Sequence, residues 1–390
     1  MLNINGSPFH RGRMGERERL VVDRAKENDC AVVYVNQVCG QDELVFDGGS
    51  MVVASDGSLL ARLRQFEEDF LTVDIDVVEK PCLGNVVHVS DATLGRQELD
   101  PPRREAVLDE LDEIHRALVL GTRDYARKNG FTDVVIGLSG GIDSALVAAI
   151  AVEALGAKHV HGVSMPSRYS SQGSRDDALH LAHNLGISLD TIEIEPAFDA
   201  YLRMTKPMFA DRPQDLTEEN LQSRVRGTTL MALSNKFGWM VLTTGNKSEI
   251  AVGYFTLYGD SVGAFAVIKD VFKTTVYRLC ERINERAGRE LIPASTITKP
   301  PSAELRPDQR DDQSLPPYEV LDPILTMYVD DDLTIQEIVA KGFDEQLVRR
   351  IARLVDASEY KRRQAPPGVR VSTKAFGKDR RMPITNLFRG

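Results

Sequence analysis

Cysteine is scarce: four residues in 390, Cys30, Cys39, Cys82 and Cys280, with no CxxC pair and no even ladder. That scarcity argues against a disulfide framework or a cysteine zinc site and makes a reducing compartment the default. No apolar run is long enough to span a bilayer. The opening MLNINGSPFHRGRMGERERL has no charged-then-apolar secretion layout, so a cytoplasmic protein without a membrane partner is expected. Positive charge is in deficit, with 48 Lys and Arg against 58 Asp and Glu, a net charge of −10. Such a balance speaks against a nucleic-acid partner. Internal repeats are absent, and 42% hydrophobic with 27% charged residues is an ordinary globular composition. The length suits two or three domains.

Pattern then divides the chain. In residues 1–80, a helical stretch (15–28) precedes the apolar run AVVYV (31–35). Strand-like SMVVAS (50–55) and SLLARL (58–63) are split by the turn signal Asp56-Gly57. FLTVDIDV (70–77) alternates and predicts a further strand. Residues 81–104, with Pro81, Gly84, Gly95 and Pro101-Pro102, predict a linker. A helix is expected from Asp100-Pro101, with Val107, Leu108, Leu111, Ile114 and Leu118 on one face and a stop at Gly130. From 131 to about 300, strands and helices alternate: strands at 133–138, 159–165, 189–195 and 239–245, and helices at 145–155, 175–186 and 218–237. That alternation predicts an α/β doubly wound parallel sheet over 105–390, with ligands at the carboxyl ends of its strands. His159 and His161 fall in a strand, and His180 and His183 on a helix. None has a carboxylate at metal-ligand spacing, so structural roles are expected.

The chemistry concentrates in Gly137-Leu138-Ser139-Gly140-Gly141-Ile142-Asp143-Ser144, between a Val/Ile strand and an Ala-rich helix. Glycines admit close backbone approach, and a helix start offers free N–H groups and a positive dipole end, which together suit phosphate. No lysine follows the glycines, so the loop is not of the Walker type. Asp143 beside phosphates calls for a divalent cation, Mg²⁺ being usual. In TTGNKSE (243–249), Thr244 could donate to a nucleotide. Glu249 could share a metal with Asp143 or complete a capping box with Asn246, and spacing alone leaves both open. Lys269 and Lys273 flank Asp270, and either lysine near a triphosphate would stabilise developing charge. Met165 and Ser167, after the strand at 159–165, could hold a base and ribose, or Ser174 could simply cap the next helix.

SGGIDS resembles the pyrophosphate loop of the adenine-nucleotide α-hydrolase-like superfamily. ENLQSRVRG (219–227), TTGNKSEIAVGYFTLYGD (243–260), KDVFKTTVYRL (269–279), PSAELRPDQRDDQSLPPYEVLDPIL (301–325) and RMPITNLFR (381–389) resemble NAD⁺ synthetases. The glutamine-dependent, two-domain branch is the nearer likeness. Residues 1–80 resemble part of its nitrilase-like glutaminase domain.

That resemblance implies ATP-dependent amidation of deamido-NAD⁺ through an acyl-adenylate. It assigns ATP to the loop with Met165 and Thr244, and Mg²⁺ to Asp143 and Glu249. It assigns charge stabilisation to Asp143 and Lys273. Deamido-NAD⁺ goes to Asn220, Arg224, Glu249, Asp260 and Lys374, while Arg226 is expected on a solvated helix surface. The branch's Glu–Lys–Cys glutaminase triad would lie upstream of NINGSPFHRGR. Nitrogen is therefore expected as ammonia, free or from a separate glutaminase. A homo-oligomer, at least a dimer, is also implied. Another pyrophosphate-loop ligase and a non-catalytic nucleotide-binding subunit are the competing expectations.

Overall fold

The computed structural model describes residues 1–76, 87, 102–307 and 309–385. Most of the expected linker, Cys82, the helix start at Asp100-Pro101 and the end of the RMPITNLFR segment lie outside the described residues. Two compact units emerge: Met1–Cys39 with Phe46–Glu110, and Gly40–Val45 with Leu111–Gly390.

The chain begins with β1 (Leu2–Asn5), α1 (Arg13–Glu27), β2 (Val32–Asn36), the hairpin β3 (Val38–Gln41) and β4 (Leu44–Asp47), β5 (Met51–Val53) and β6 (Leu59–Arg62). The first unit's sheet runs β1-β2-β5-β6, with β1 parallel to β2 and the other pairs antiparallel. Met14, Arg17, Val21 and Ala25 recur at helical spacing and form the buried stripe of α1. Three of them pack with Val32, Tyr34, Met51 and Val53 into one core. Arg17 is buried too, and its guanidinium donates to Asp47 at 2.6 Å and to Ser7 Oγ at 3.0 Å. The strand expected over 70–77 is not formed in 70–76. Alternation makes a strand only where an edge is open. Beside β6, Arg62 already exchanges backbone bonds with Arg103 and Glu105, at 3.1 and 3.0 Å.

The next helix, α2, spans Glu110–Lys128, later than expected. Val107 and Leu108 precede it, and the Leu108 N–H bonds the Gln65 side chain at 3.0 Å instead of a helical carbonyl. Beyond α2 come β7 (Val134–Gly137), α3 (Ile142–Leu155), β8 (Val160–Ser164), α4 (Gln172–Leu185), β9 (Ser188–Thr191), α5 (Glu195–Phe209), α6 (Leu216–Phe237), β10 (Met240–Thr243), α7 (Lys247–Val252), β11 (Phe265–Ala266), α8 (Lys273–Ala287), α9 (Ala294–Thr298), α10 (Tyr318–Leu325), α11 (Ile335–Ala340) and α12 (Glu345–Ala357). β9 stops short of the expected 195 because a proline in the first turn starts α5 there.

The five strands are all parallel, in the order β11-β10-β7-β8-β9. The apolar runs of β7 and β10 suit burial on both faces, whereas edge strand β9 is largely exposed. The chain steps from β7 outward through β8 and β9, then returns to β10 and β11 on the other side. Order therefore reverses between β7 and β10, and the loops leaving those strands part to form a crevice. A separate apolar cluster of α7, α10, α11 and α12, including Leu321, Leu325, Ile351 and Val355, supports the crevice from the α7 side.

Candidate active site

β7 delivers the glycine loop. Gly140 has φ +76, and a Cβ there would lie 2.1 Å from the Ser174 carbonyl oxygen, so glycine is required twice over. The loop braces itself. The Gly141 N–H donates to Ser139 Oγ at 3.1 Å, and Ser144 Oγ donates to the Gly141 carbonyl at 2.9 Å. No side chain caps α3, so its first N–H groups remain available to an anion at the helix's positive end.

β10 delivers the opposite wall. Asn246 caps α7, its side chain accepting the Glu249 N–H at 3.0 Å while the Glu249 carboxylate reaches back to the Asn246 N–H at 3.5 Å. The capping box is formed, and it leaves Glu249 in the cavity wall near Lys273. Asn246 Nδ2 also donates to Asp143 at 3.1 Å, and the Glu249 Oε1 lies 3.6 Å from Lys273 Nζ. Lys273 itself bonds Asp143. Its position is set from behind: the Lys273 N–H donates to Ser248 Oγ at 2.9 Å, and Ser248 donates to Asp322 of α10 at 2.5 Å.

The electrostatics follow from this enclosure. Burial raises the Glu249 carboxyl to about 8 despite the nearby Lys273 charge. At 3.6 Å that pair is too long for a charge-assisted hydrogen bond, which is why burial prevails. Burial alone would lower the Lys273 ammonium, but Asp143 and Glu249 outweigh it and hold its pKa above the ordinary lysine value. At neutral pH Glu249 thus keeps its proton, and the Lys273 ammonium is paired with Asp143.

A cavity of about 620 Å³ opens over this group. Its wall includes Gly137, Leu138, Ser139, Gly141, Ile142, Asp143 and Ser144 of the loop, together with Met165, Thr244, Asn220, Glu249, Asp260 and Lys273. Asn220 and Asp260 meet through Thr256, whose hydroxyl donates to Asn220 at 2.7 Å and whose N–H donates to Asp260 at 2.9 Å. Gly140 braces the loop without lining the cavity. Lys269 lies elsewhere, donating to the Pro366 carbonyl at 2.6 Å. Lys374 is drawn to Asp332, and Arg224 is exposed, donating to the Leu257 carbonyl at 3.2 Å; neither lines the cavity. Arg226 corrects the expectation of a solvated surface: it lies in the cavity wall and donates to the Met165 carbonyl at 3.0 Å. Two residues apart on a helix, the arginines face different ways, and only the helix's phase against the sheet decides which turns inward. Lys299, Glu304, Asp311 and Lys361 also line the cavity; Glu304 and Asp311 fall in the 301–325 segment, but none of the four was expected at the site. His161 bonds Asp133 at 2.9 Å and stacks on Trp239 at 3.8 Å, a structural role.

Among the described residues no cluster of three or more His, Cys, Asp and Glu could hold a metal ion unaided. Asp143 and Glu249 are oxygen donors of the kind Mg²⁺ takes, one or two carboxylates with substrate phosphates completing its shell, and here both face the Lys273 ammonium.

Comparison with known proteins gives two family matches: NAD synthase over residues 114–365 and carbon–nitrogen hydrolase over residues 2–79. A glutamine-dependent NAD(+) synthetase of Thermotoga maritima is 51% identical over 402 residues, covering 99% of this chain and 70% of that protein. Its counterpart from Acinetobacter baylyi is 46% identical over 389 residues, covering 100% of this chain and 69% of the relative. Among solved structures, the Acinetobacter baumannii glutamine-dependent NAD+ synthetase in complex with ADP aligns with a TM-score of 0.67 at 42% identity, over 99% of this chain and 67% of that one.

Proposed function

The chain belongs to the NAD synthase family of ligases, and on that premise we propose that its cavity amidates deamido-NAD⁺ at the expense of ATP. The observation that carries this reading is the Asp143–Lys273–Glu249 group facing an anion-ready helix start across the switch point. A carboxylate is a poor electrophile, because its oxygen is a poor leaving group. Attack of the nicotinate oxygen on the α-phosphorus forms an O–P bond as pyrophosphate departs with its electron pair. Ammonia then attacks the acyl carbon, AMP leaves, and a proton is lost as the amide forms. The free N–H groups of α3 and the Lys273 ammonium receive the charge that develops on departing pyrophosphate. Asn220 and Asp260, fixed through Thr256, are suited to orient the dinucleotide, and fixed orientation is a large part of the rate gain. Mg²⁺, where bound, would be held by Asp143 and Glu249 and would neutralise phosphate charge.

The glutamine dependence of the relatives and the carbon–nitrogen hydrolase match over residues 2–79 support glutamine as the source of the ammonia. This reading replaces the expectation of free ammonia or a separate glutaminase. The free thiols of Cys30, Cys39 and Cys280 suit a cytoplasmic setting. The test is formation of AMP, pyrophosphate and NAD⁺ from ATP and deamido-NAD⁺, with glutamine and with ammonium in parallel. Asp143→Asn is expected to cut turnover by about 10²–10³-fold with its circular dichroism unchanged. A folded protein that makes no AMP with either nitrogen source overturns the ligase reading. Turnover with ammonium only overturns the glutamine source and leaves the ligase chemistry standing.

A further inference from the structure

Arg226 is an unusual cation for a cavity wall. Nε donates to the Met165 carbonyl at 3.0 Å, and among the described residues the two Nη groups have no carboxylate or carbonyl partner. Burial lowers its pKa to about 10, with Glu304 and Asp260 only partly offsetting that loss. A half-buried guanidinium facing a cavity with unused donors favours an acceptor-bearing ligand. One turn further along α6, Leu230 lines the same wall. A Cβ on Gly137 would lie 3.2 Å from the Met165 methyl and 3.5 Å from Leu230 Cδ1, so these side chains flank the end of β7. With Leu138 and Val163 they make an apolar slot suited to a flat ring.

The rim of that slot carries an acceptor next to a donor. The Met165 carbonyl has a second lone pair, and the Arg226 fork supplies N–H groups beside it. Adenine presents the complement, an exocyclic N6 amine that donates and a neighbouring ring nitrogen that accepts. A 6-oxopurine presents an acceptor oxygen where adenine has its amine, and that oxygen would face the carbonyl lone pair. We propose that Arg226 and the Met165 carbonyl together read the nucleotide base, and that Arg226 is a specificity-determining residue selecting adenine over 6-oxopurines. This inference rests on the ATP-dependent reading above. The same hydrogen bond that aims the guanidinium also fixes the carbonyl, so one side chain sets both halves of the readout.

The experiment compares ATP with inosine triphosphate in the full chain, with deamido-NAD⁺ and ammonium saturating. Wild type is expected to prefer ATP by about 10²-fold or more in kcat/KM, as for a site left with unpaired polar groups by the wrong ligand. Arg226→Met should bring that ratio down at least about tenfold, chiefly by raising KM for ATP. Arg226→Lys, which keeps charge without the planar fork, should restore little of it. Calorimetric titration with ATP alone gives the same ordering without turnover. Equal losses for both nucleotides would assign the guanidinium to phosphate and overturn the proposal, as would unchanged selectivity or a wild type that does not discriminate. Wild type that turns over neither nucleotide contradicts the ATP-dependent reading itself. Normal wild-type turnover with a null effect at Arg226 contradicts only this inference.

Discussion

Two short parallel-paired strands show how differently the two units hide their backbones. Val134, Val135 and Ile136 of β7 are 0% exposed, whereas Leu2 and Ile4 of β1 are 79% and 87% exposed. Both strands carry apolar side chains and both pair in parallel with a neighbour. The difference is in what surrounds them. β7 is central in its sheet, between β8 and β10, with α3 and α6 packed against it. β1 is an edge strand with one neighbour, and all four of its residues are exposed. Apolar sequence becomes core only where helices and strands close over it. The first unit relies instead on a compact patch around α1 and on one buried ion pair.

Breaking that ion pair should have the largest effect. Arg17→Met leaves Asp47 buried without its guanidinium and is expected to cost about 3–5 kcal/mol. Hydrogen exchange should report the loss in β2 and β5, and equal loss of protection in β7 and β10 would contradict the contrast between the units. Ile136→Ala removes a wholly buried side chain from the central strand and should cost about 2–5 kcal/mol, read as exchange in β7 and β10. Gly140→Ala is expected to introduce strain of about 1–3 kcal/mol, from its left-handed φ and the collision with the Ser174 carbonyl. ATP affinity, measured by titration, should fall in that variant. Ile4→Ser should change stability by no more than about 0.5 kcal/mol in chemical denaturation, since it removes surface and no packing. A larger cost there would mean that β1 is covered in solution.

Legibility follows the same division. β7 and β10 read clearly because buried parallel strands are nearly continuous apolar runs, and the glycine loop's place between a strand and a helix read clearly because its residues are contiguous. α5 was not foreseen, although Phe198, Tyr201, Leu202 and Phe209 recur at helical spacing; of its fifteen residues only Phe198 is buried. Residues 70–76 alternate convincingly but find their edge occupied, a fact set by Arg103–Glu105 far along the chain. Capping and metal readings of Glu249 were inseparable by spacing, and the geometry joins the cap to the carboxylate cluster through Asn246. Arg224 and Arg226 were separable only by the rotation of α6 about its axis.

Lys247 lies two residues before Glu249 and is wholly enclosed, with its ammonium 2.8 Å from both Asp270 and Asp330, 2.6 Å from Ser372 Oγ and 2.9 Å from the Lys374 carbonyl. Those partners come from three stretches far apart in the chain, and two of them from its last twenty residues. Residues 372–374 thus brace the segment that carries Glu249 into the cavity wall. Clipping the polypeptide after residue 365 would remove two of the four partners of this enclosed ammonium and leave Asp270 and Asp330, so the support behind Glu249 should loosen even though the excised residues do not line the cavity.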